Sequence, residues 1–432
     1  MKTQFERRRH ELAINMKSGI AVIPTAGEAI RNKDAHFPYR FDSYFHYLTG
    51  FSEPESVVVV IGGKESRSIL FCRAKHEERE IWDGFRHGPE EAKTQFHFDD
   101  AFAIDEIDTI LPQLIENKNT IFTPVGVSPD WDKKMMGWLN KTRSRAREGV
   151  NAPAGLIDVR QILDEMRLIK DPEELDIMRR AAKISAEAHI HAMTAAAPGK
   201  YEYEIEAELL YHFKKRGSQF PAYTSIVAGG KNACVLHYIE NNTVLNDGDL
   251  LLIDAGCELD GYASDITRTF PVNGKFSGPQ KVIYELVLDA QLAAVEATSC
   301  GNSWQAPHDA ATKILAQGLI DLNLCHGSLD KVLEQREYSR YYMHRTGHWL
   351  GRDVHDVGNY KTDGQWRSLQ PGMVMTIEPG CDIRSAPDIP EQFWNIGVRI
   401  EDDAIVNHDS GCEIITSAAP KAIKDIELLM SA

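Results

Sequence analysis

The sequence predicts an α/β protein of two domains, the second built on an internal pseudo-twofold. Three observations lead there. Short apolar strands alternate with helical patterns. A helix-start signature at Ile169-Lys170-Asp171-Pro172 marks a boundary, giving a smaller domain over 1–168 and a larger one over 169–432. Within the larger part, LNDGDLLLIDAG (245–256) is matched by LQPGMVMTIEPG (369–380).

Composition narrows the class. The 432 residues are 43% hydrophobic and 26% charged, ordinary for a globular chain. A net charge of −16 argues against nucleic acid as a partner, which would need a basic face. Nothing approaches the roughly 18 uninterrupted apolar residues of a membrane span. The opening stretch MKTQFERRRHELAINMKSGIAVI lacks the apolar core and cleavage site of a signal peptide. Seven cysteines, odd in number and without CxxC pairs, fit isolated thiols in a reducing compartment. A cytoplasmic protein is expected.

The first domain opens on an amphipathic run, Phe5 to Lys17, followed by the apolar Ile20 to Pro24. The aromatic-rich PYRFDSYFHYLTGF (38–51) closes on Gly50-Phe51. Val57 to Ile61, Gly62-Gly63 and Ser68 to Cys72 read as strand, turn and strand of a hairpin. No phosphate loop or dinucleotide motif occurs there. At the boundary Asp171 can cap a helix with Pro172 at its first position, while Glu173 and Glu174 favour its positive end. Leu175, Met178, Ala182 and Ala186 recur at helical spacing, and further helices are expected at about 202–216, 279–299 and 305–321. QKVIYELVLDAQLAAVEA has the broad apolar face of a helix lying on a sheet.

The strands between these helices carry the acids. Each copy of the repeat turns through a glycine (Gly248, Gly372) and runs an apolar strand to a carboxylate six residues on, Asp254 or Glu378. Each then closes on Gly256 or Gly380. The next acids match as well: Asp265 lies four residues after Gly261, and Glu401 four after Gly397. The second copy has a longer excursion, Asp382 to Trp394. Between the copies, HRTGHWLGRDVHDVG (344–358) holds His344, His348 and His355, and two histidines four apart can share one face. Gly347, Gly351 and Gly358 suggest a backbone held close to something else.

Asp254, Asp265, His348, Glu378 and Glu401 thus supply four carboxylates and one imidazole. Four acids converging without a cation would repel and raise one another's pKa. Oxygen-rich sites with one nitrogen suit Mn²⁺ or a related divalent ion. Five ligands, two able to bridge, describe a two-metal site holding a hydroxide, and the reaction class is metal-assisted hydrolysis. Acidic residues on solvated strand ends would not explain a repeat that reproduces the acids together with the turns.

These residues resemble the pita-bread metallopeptidases, from about Asp171 to the C-terminus. The resemblance implies a C-terminal pita-bread domain beside a smaller creatinase-like N-terminal domain. It implies that Asp254 binds one metal, His348 and Glu378 the other, and that Asp265 and Glu401 bridge them, with Glu378 also the general base. It places His237 and His355 at the scissile amide and Arg399 behind the ligands, and it adds His344 as a candidate for proton transfer. The leading His344 and the stretch PYRFDSYFHYLTGFSEPE look most like the aminopeptidase P members, which remove the residue preceding a penultimate proline. Trp82, in EIWDG, and Tyr223 join Arg399 as substrate-binding candidates; for Trp82 the alternative is an ordinary core tryptophan. Arg345 and Arg352 stand where smaller or apolar residues are expected. A prolidase acting on Xaa-Pro dipeptides, or a non-catalytic binding module on this fold, are the rival readings. The resemblance also implies peptide substrates and a homodimer or homotetramer.

Overall fold

Val57–Ile61 is apolar at every position, and such a strand needs cover on both faces. In the computed structural model, which describes residues 2–63 and 66–431, it lies inside a six-stranded sheet of the first of two units, Met1–Met166. The strand order is 100–103, 67–72, 57–61, 20–24, 120–123, 155–158. The hairpin expected from Val57 to Cys72 is present, pairing Val57 with Phe71 and Ile61 with Arg67. Residues 64 and 65, between its strands in sequence, lie outside the described residues. Alternation divides the sheet's side chains between two cores. Ala21, Ile23, Val58 and Val60 pack with Leu12, Phe45 and Leu48. Ile20, Val22, Val57 and Val59 pack with Leu111, Trp131 and Trp138.

The first helix, Gln4–Asn15, starts at a capping box between Thr3 and Glu6. Its amphipathic face differs from a simple apolar stripe, because Arg8 and Arg9 are buried within it. Arg9 donates to the carbonyls of Leu48 (2.9 Å) and His97 (2.7 Å), and Arg8 to that of Tyr47. Tyr47 and Leu48 close the helix Ser43–Thr49, so the two guanidiniums satisfy carbonyls left open at a helix end.

Within the second unit, Arg167–Ala432, the expected helix start is present. Asp171 and Glu174 form a capping box, and Pro172 opens the helix Pro172–Ala195. Helices Glu202–Lys215, Gly278–Ala297 and Ala306–Asp321 follow. Gly278–Ala297 buries Ile283, Val287, Ala290 and Ala294 in the core shared with Leu251, Ile253, Ile377 and Val398. All seven cysteines are free thiols. Among the described residues no helix is long and apolar enough to cross a membrane.

The repeat is a structural one. In the first copy, Leu250–Asp254 pairs antiparallel with Thr267–Pro271, and the chain between them forms the small hairpin 257–259/262–263. In the second, Val374–Ile377 pairs with Asp402–Val406 around the hairpin 380–383/396–399. Gly248 and Gly372 enter their copies at φ of 85° and 83°, a left-handed turn that favours glycine. The matched pair Gly261 and Gly397 diverges. Gly261 is again left-handed at a tight turn, whereas Gly397 sits in a strand where a Cβ would lie 2.5 Å from the Ala233 carbonyl.

The copies are tied directly to each other. Glu401 N–H donates to the Thr267 carbonyl (3.1 Å), and Asp265 N–H to the Asp403 carboxylate (3.1 Å). Each acid is thus held by the residue two positions beyond its counterpart. Arg268, fully buried, donates to Asp402 Oδ1 (2.7 Å) and to the carbonyls of Glu401 and Ala419. Although burial opposes its charge, Asp402 is held below the usual carboxylate range by Arg268 and Lys421. Asp402→Ala leaves Arg268 buried without this partner and is expected to remove about 3–5 kcal/mol of stability. Denaturant unfolding checks it, and a loss under about 1 kcal/mol would contradict the clamp.

Candidate metal centre

Each copy brings its carboxylates to the same place by the same route. Leu250–Asp254 ends on Asp254, and Val374–Ile377 runs directly into Glu378. The returning strands begin just after Asp265 and Glu401, which are only 5% and 2% exposed. Because the apolar strand residues must be buried, the acids that follow them are carried below the surface.

His348 arrives differently from a helical face. The segment from Tyr342 to Gly358 is irregular, and it is laid along the strand Val374–Ile377. Thr376 N–H donates to the His348 carbonyl (3.0 Å), and Leu350 N–H to that of Val374 (3.0 Å). A Cβ at Gly347 would lie 2.0 Å from the Thr376 carbonyl oxygen, so this approach needs glycine. His348 Nδ1 sits 2.9 Å from the Trp349 carbonyl and donates to it. That leaves Nε2 facing Asp265 (3.4 Å) and Glu378 (3.6 Å). Burial opposes the imidazole's charge, but these two acids raise its pKa to about 9, so Nε2 would offer its lone pair to a metal by giving up a proton. His344 also reaches Glu378, at 3.7 Å.

The electrostatics ask for a cation. Burial, then repulsion from Asp265, Glu378 and Asp254, pushes Glu401 well above the carboxylate range. Burial also lifts Glu378, to about 7, and raises Asp254 against the pull of Arg399. Asp265 is shifted down, because its hydrogen bond and charge interaction with His348 outweigh burial. Among the described residues the only fixed guanidinium on the cluster is Arg399, whose Nη2 donates to Asp254 Oδ2 (2.6 Å) and Nε to Thr267 Oγ1 (3.0 Å). Thr267 in turn donates to Glu401 Oε2 (2.6 Å). Ligand atoms of Asp265, His348 and Glu401 lie within 4.8 Å of one another. Buried oxygens, one imidazole and uncompensated negative charge fit a divalent metal.

The acids open onto a cavity of about 670 Å³. Tyr223, His237, His344, His355 and Arg399 line it together with Asp254, Asp265, His348, Glu378 and Glu401. Tyr223 donates to Asp254 Oδ1 (2.6 Å) and also contacts Asp265, so it braces two acids. His355 lies edge-on to His348, with ring centroids 4.3 Å apart. Trp82 is no core residue. It is 84% exposed on the helix Glu77–Asp83 of the first unit, which corrects the core alternative. Sequence reasoning missed Thr267 and Asp403, although each lies two residues after a repeated acid and the repeat was the available signal. It also missed the wall formed by Ile226, Leu236, Ile239, Trp304, Tyr360 and Trp366, for which no local pattern exists.

The model of metallopeptidase family M24 matches residues 176–408, more than half of the chain. The chain belongs to metallopeptidase family M24. An aminopeptidase P N-terminal domain model matches residues 5–122 of this M24 chain. The Xaa-Pro aminopeptidase of Haemophilus influenzae is 45% identical over 100% of this chain and 97% of its own length. The solved structure of Pseudomonas aeruginosa aminopeptidase PepP is similar with a TM-score of 0.97 and 49% identity, covering 99% of this chain and 97% of that one. A zinc-substituted Escherichia coli aminopeptidase P in complex with product gives a TM-score of 0.97 at 41% identity, covering 99% of this chain and 98% of that one. The fold is that of an α/β N-terminal domain followed by a pita-bread M24 domain.

The loop carrying His355 in this M24 domain is anchored from below. Asp356, buried, accepts from Arg167 Nη2 (2.6 Å) and Lys170 Nζ (2.9 Å), and Arg167 also reaches Asp353 (2.7 Å). Burial would raise the Asp356 pKa, but Lys170 and Arg167 hold it below the usual carboxylate range. A folded pKa below the unfolded value of about 3.9 gives stability that is full above that value and lost as pH falls through the folded one. Acid unfolding of the wild type below about pH 4 should therefore flatten in Asp356→Asn, which should also be less stable at pH 7. Denaturation midpoints from pH 2 to 7 check this; parallel curves would exclude Asp356 as an acid-labile group.

Proposed function

We propose that the protein is a metal-dependent Xaa-Pro aminopeptidase that releases the first residue of peptides carrying proline at the second position. The observation that carries this reading is the convergence of Asp254, Asp265, His348, Glu378 and Glu401 on one cavity. It is supported by full-length likeness to a relative of that name. Asp254 would hold one ion, His348 and Glu378 a second, and Asp265 and Glu401 both; the oxygen-rich donor set favours Mn²⁺. Two such ions supply activation of water and polarisation of the scissile carbonyl.

The side chains supply the rest. Glu378, with Thr376 Oγ1 donating to its Oε1 (3.1 Å), takes the proton released by the attacking water. His355 and His237, on the cavity wall, pass a proton to the proline nitrogen, with His344 beside Glu378 as a further donor. Such a donor matters for an Xaa-Pro bond, because its nitrogen carries a ring and no hydrogen. Arg399 and Tyr223 keep Asp254 and Asp265 in place. We assign the protein to the cytoplasm, which its seven free thiols support, and to a homodimer or homotetramer. In such an assembly the exposed Trp82 is offered as a substrate contact.

Two measurements test this. Metal-stripped protein should release arginine from Arg-Pro-Pro only after Mn²⁺ is added, with Ala-Pro left nearly untouched. The opposite preference would indicate a prolidase, and no metal-dependent release from either would reject the peptidase reading. Independently of turnover, Mn²⁺ at about 100 times the Kd of a site should raise unfolding stability by roughly 2.7 kcal/mol for each ion bound. That gain should largely vanish in Glu401→Gln, and an equal gain in both proteins would remove Glu401 from the ligand set.

A further inference from the structure

The cavity wall beyond the carboxylates carries positive charge that the chemistry above does not use. Arg345 follows His344 directly, lines the cavity and is exposed. Its Nη2 donates to Gln305 Oε1 (2.5 Å), and its guanidinium lies 5.0 Å from the ring centroid of Trp366. Lys361 Nζ lies 4.4 Å from the same ring, across the short hairpin that pairs Lys361 with Trp366. Among the described residues neither cation has a carboxylate within ion-pair distance. In a chain with 64 acidic and 48 basic side chains, two unpaired cations on one cavity-lining tryptophan call for an anionic ligand.

The arrangement is built before any ligand arrives. Gln305 Nε2 donates to Asp309 Oδ1 (2.7 Å), which turns Oε1 toward Arg345. Trp366 supports the guanidinium from its face, leaving the remaining N–H groups of the fork without protein partners among the described residues. A guanidinium held by one bond and one ring loses little freedom on gripping a carboxylate with two parallel hydrogen bonds.

We propose that Arg345, with Lys361 beside it on Trp366, binds a peptide carboxylate on the leaving side of the scissile bond, rests on the peptidase reading above, and sets substrate preference. The amine end of a peptide is cationic and is repelled here, so the cations meet the other end. On the leaving side the carboxylate is placed on the residue following proline, the first position beyond the ring. It is either the free C-terminus of a tripeptide or an acidic side chain at that position.

Three peptides given to the metal-loaded protein separate the possibilities: Ala-Pro-Ala with a free carboxyl, its C-terminal amide, and Ala-Pro-Glu amide. At least one carboxylate peptide should have a KM about tenfold below that of the neutral amide, and which one does identifies the source of the carboxylate. The advantage should shrink as salt is added. Arg345→Met should bring the KM ratio close to one, acting on KM more than kcat, and Arg345→Lys should restore part of it. Equal KM values for all three peptides with the wild type, or a ratio that survives Arg345→Met, would overturn the subsite. The wild-type comparison depends on no variant folding. Hydrolysis of none of the three would reject the peptidase reading itself.

Discussion

Four carboxylates are brought into one buried cluster, and the second unit is arranged around tolerating them. Neither strand pair could place its acids there alone. Asp254 and Asp265 belong to one copy of a strand–hairpin–strand motif, and Glu378 and Glu401 to the other. Their mutual repulsion would drive the copies apart if nothing opposed it. Opposition comes from bonds that run between copies: Glu401 to Thr267, Asp265 to Asp403, Arg268 to Asp402 and Arg399 to Asp254. The candidate metal site and the seam between the repeats are therefore one piece of structure.

Imposed symmetry explains what could be read from the chain in advance. A position that must present a carboxylate at the end of a buried strand takes Asp or Glu, and using the motif twice repeats its acids and the glycines before them at the same spacing. Asp254, Asp265, Glu378 and Glu401 were legible for that reason, as were Gly248 and Gly372, whose backbone needs positive φ. The helix opening at Asp171 and the hairpin from Val57 to Cys72 were legible because capping and alternation are local physics.

What escaped was set by contacts remote in sequence. Arg8 and Arg9 look like the polar face of a surface helix until the carbonyls of Tyr47 and Leu48 need donors. His344 and His348 have helical spacing but follow an irregular path, because Gly347 lies against Thr376. The wall residues Trp304, Tyr360 and Trp366 come from separate segments and share no period. Arg345 stands out in the sequence as unusual for its place, yet its charge acquires meaning only when Trp366 and Gln305 are seen beside it.

The anchor beneath the His355 loop bears on how this chain can be divided. Arg167 and Lys170 lie at the very start of the second unit, yet they hold Asp356, nearly two hundred residues downstream. A shortened chain starting at residue 169 would keep every proposed metal ligand and lose Arg167. Residue 167 is therefore the latest start that keeps the loop's two-cation anchor whole, and the edge of the domain is set by charge as much as by packing.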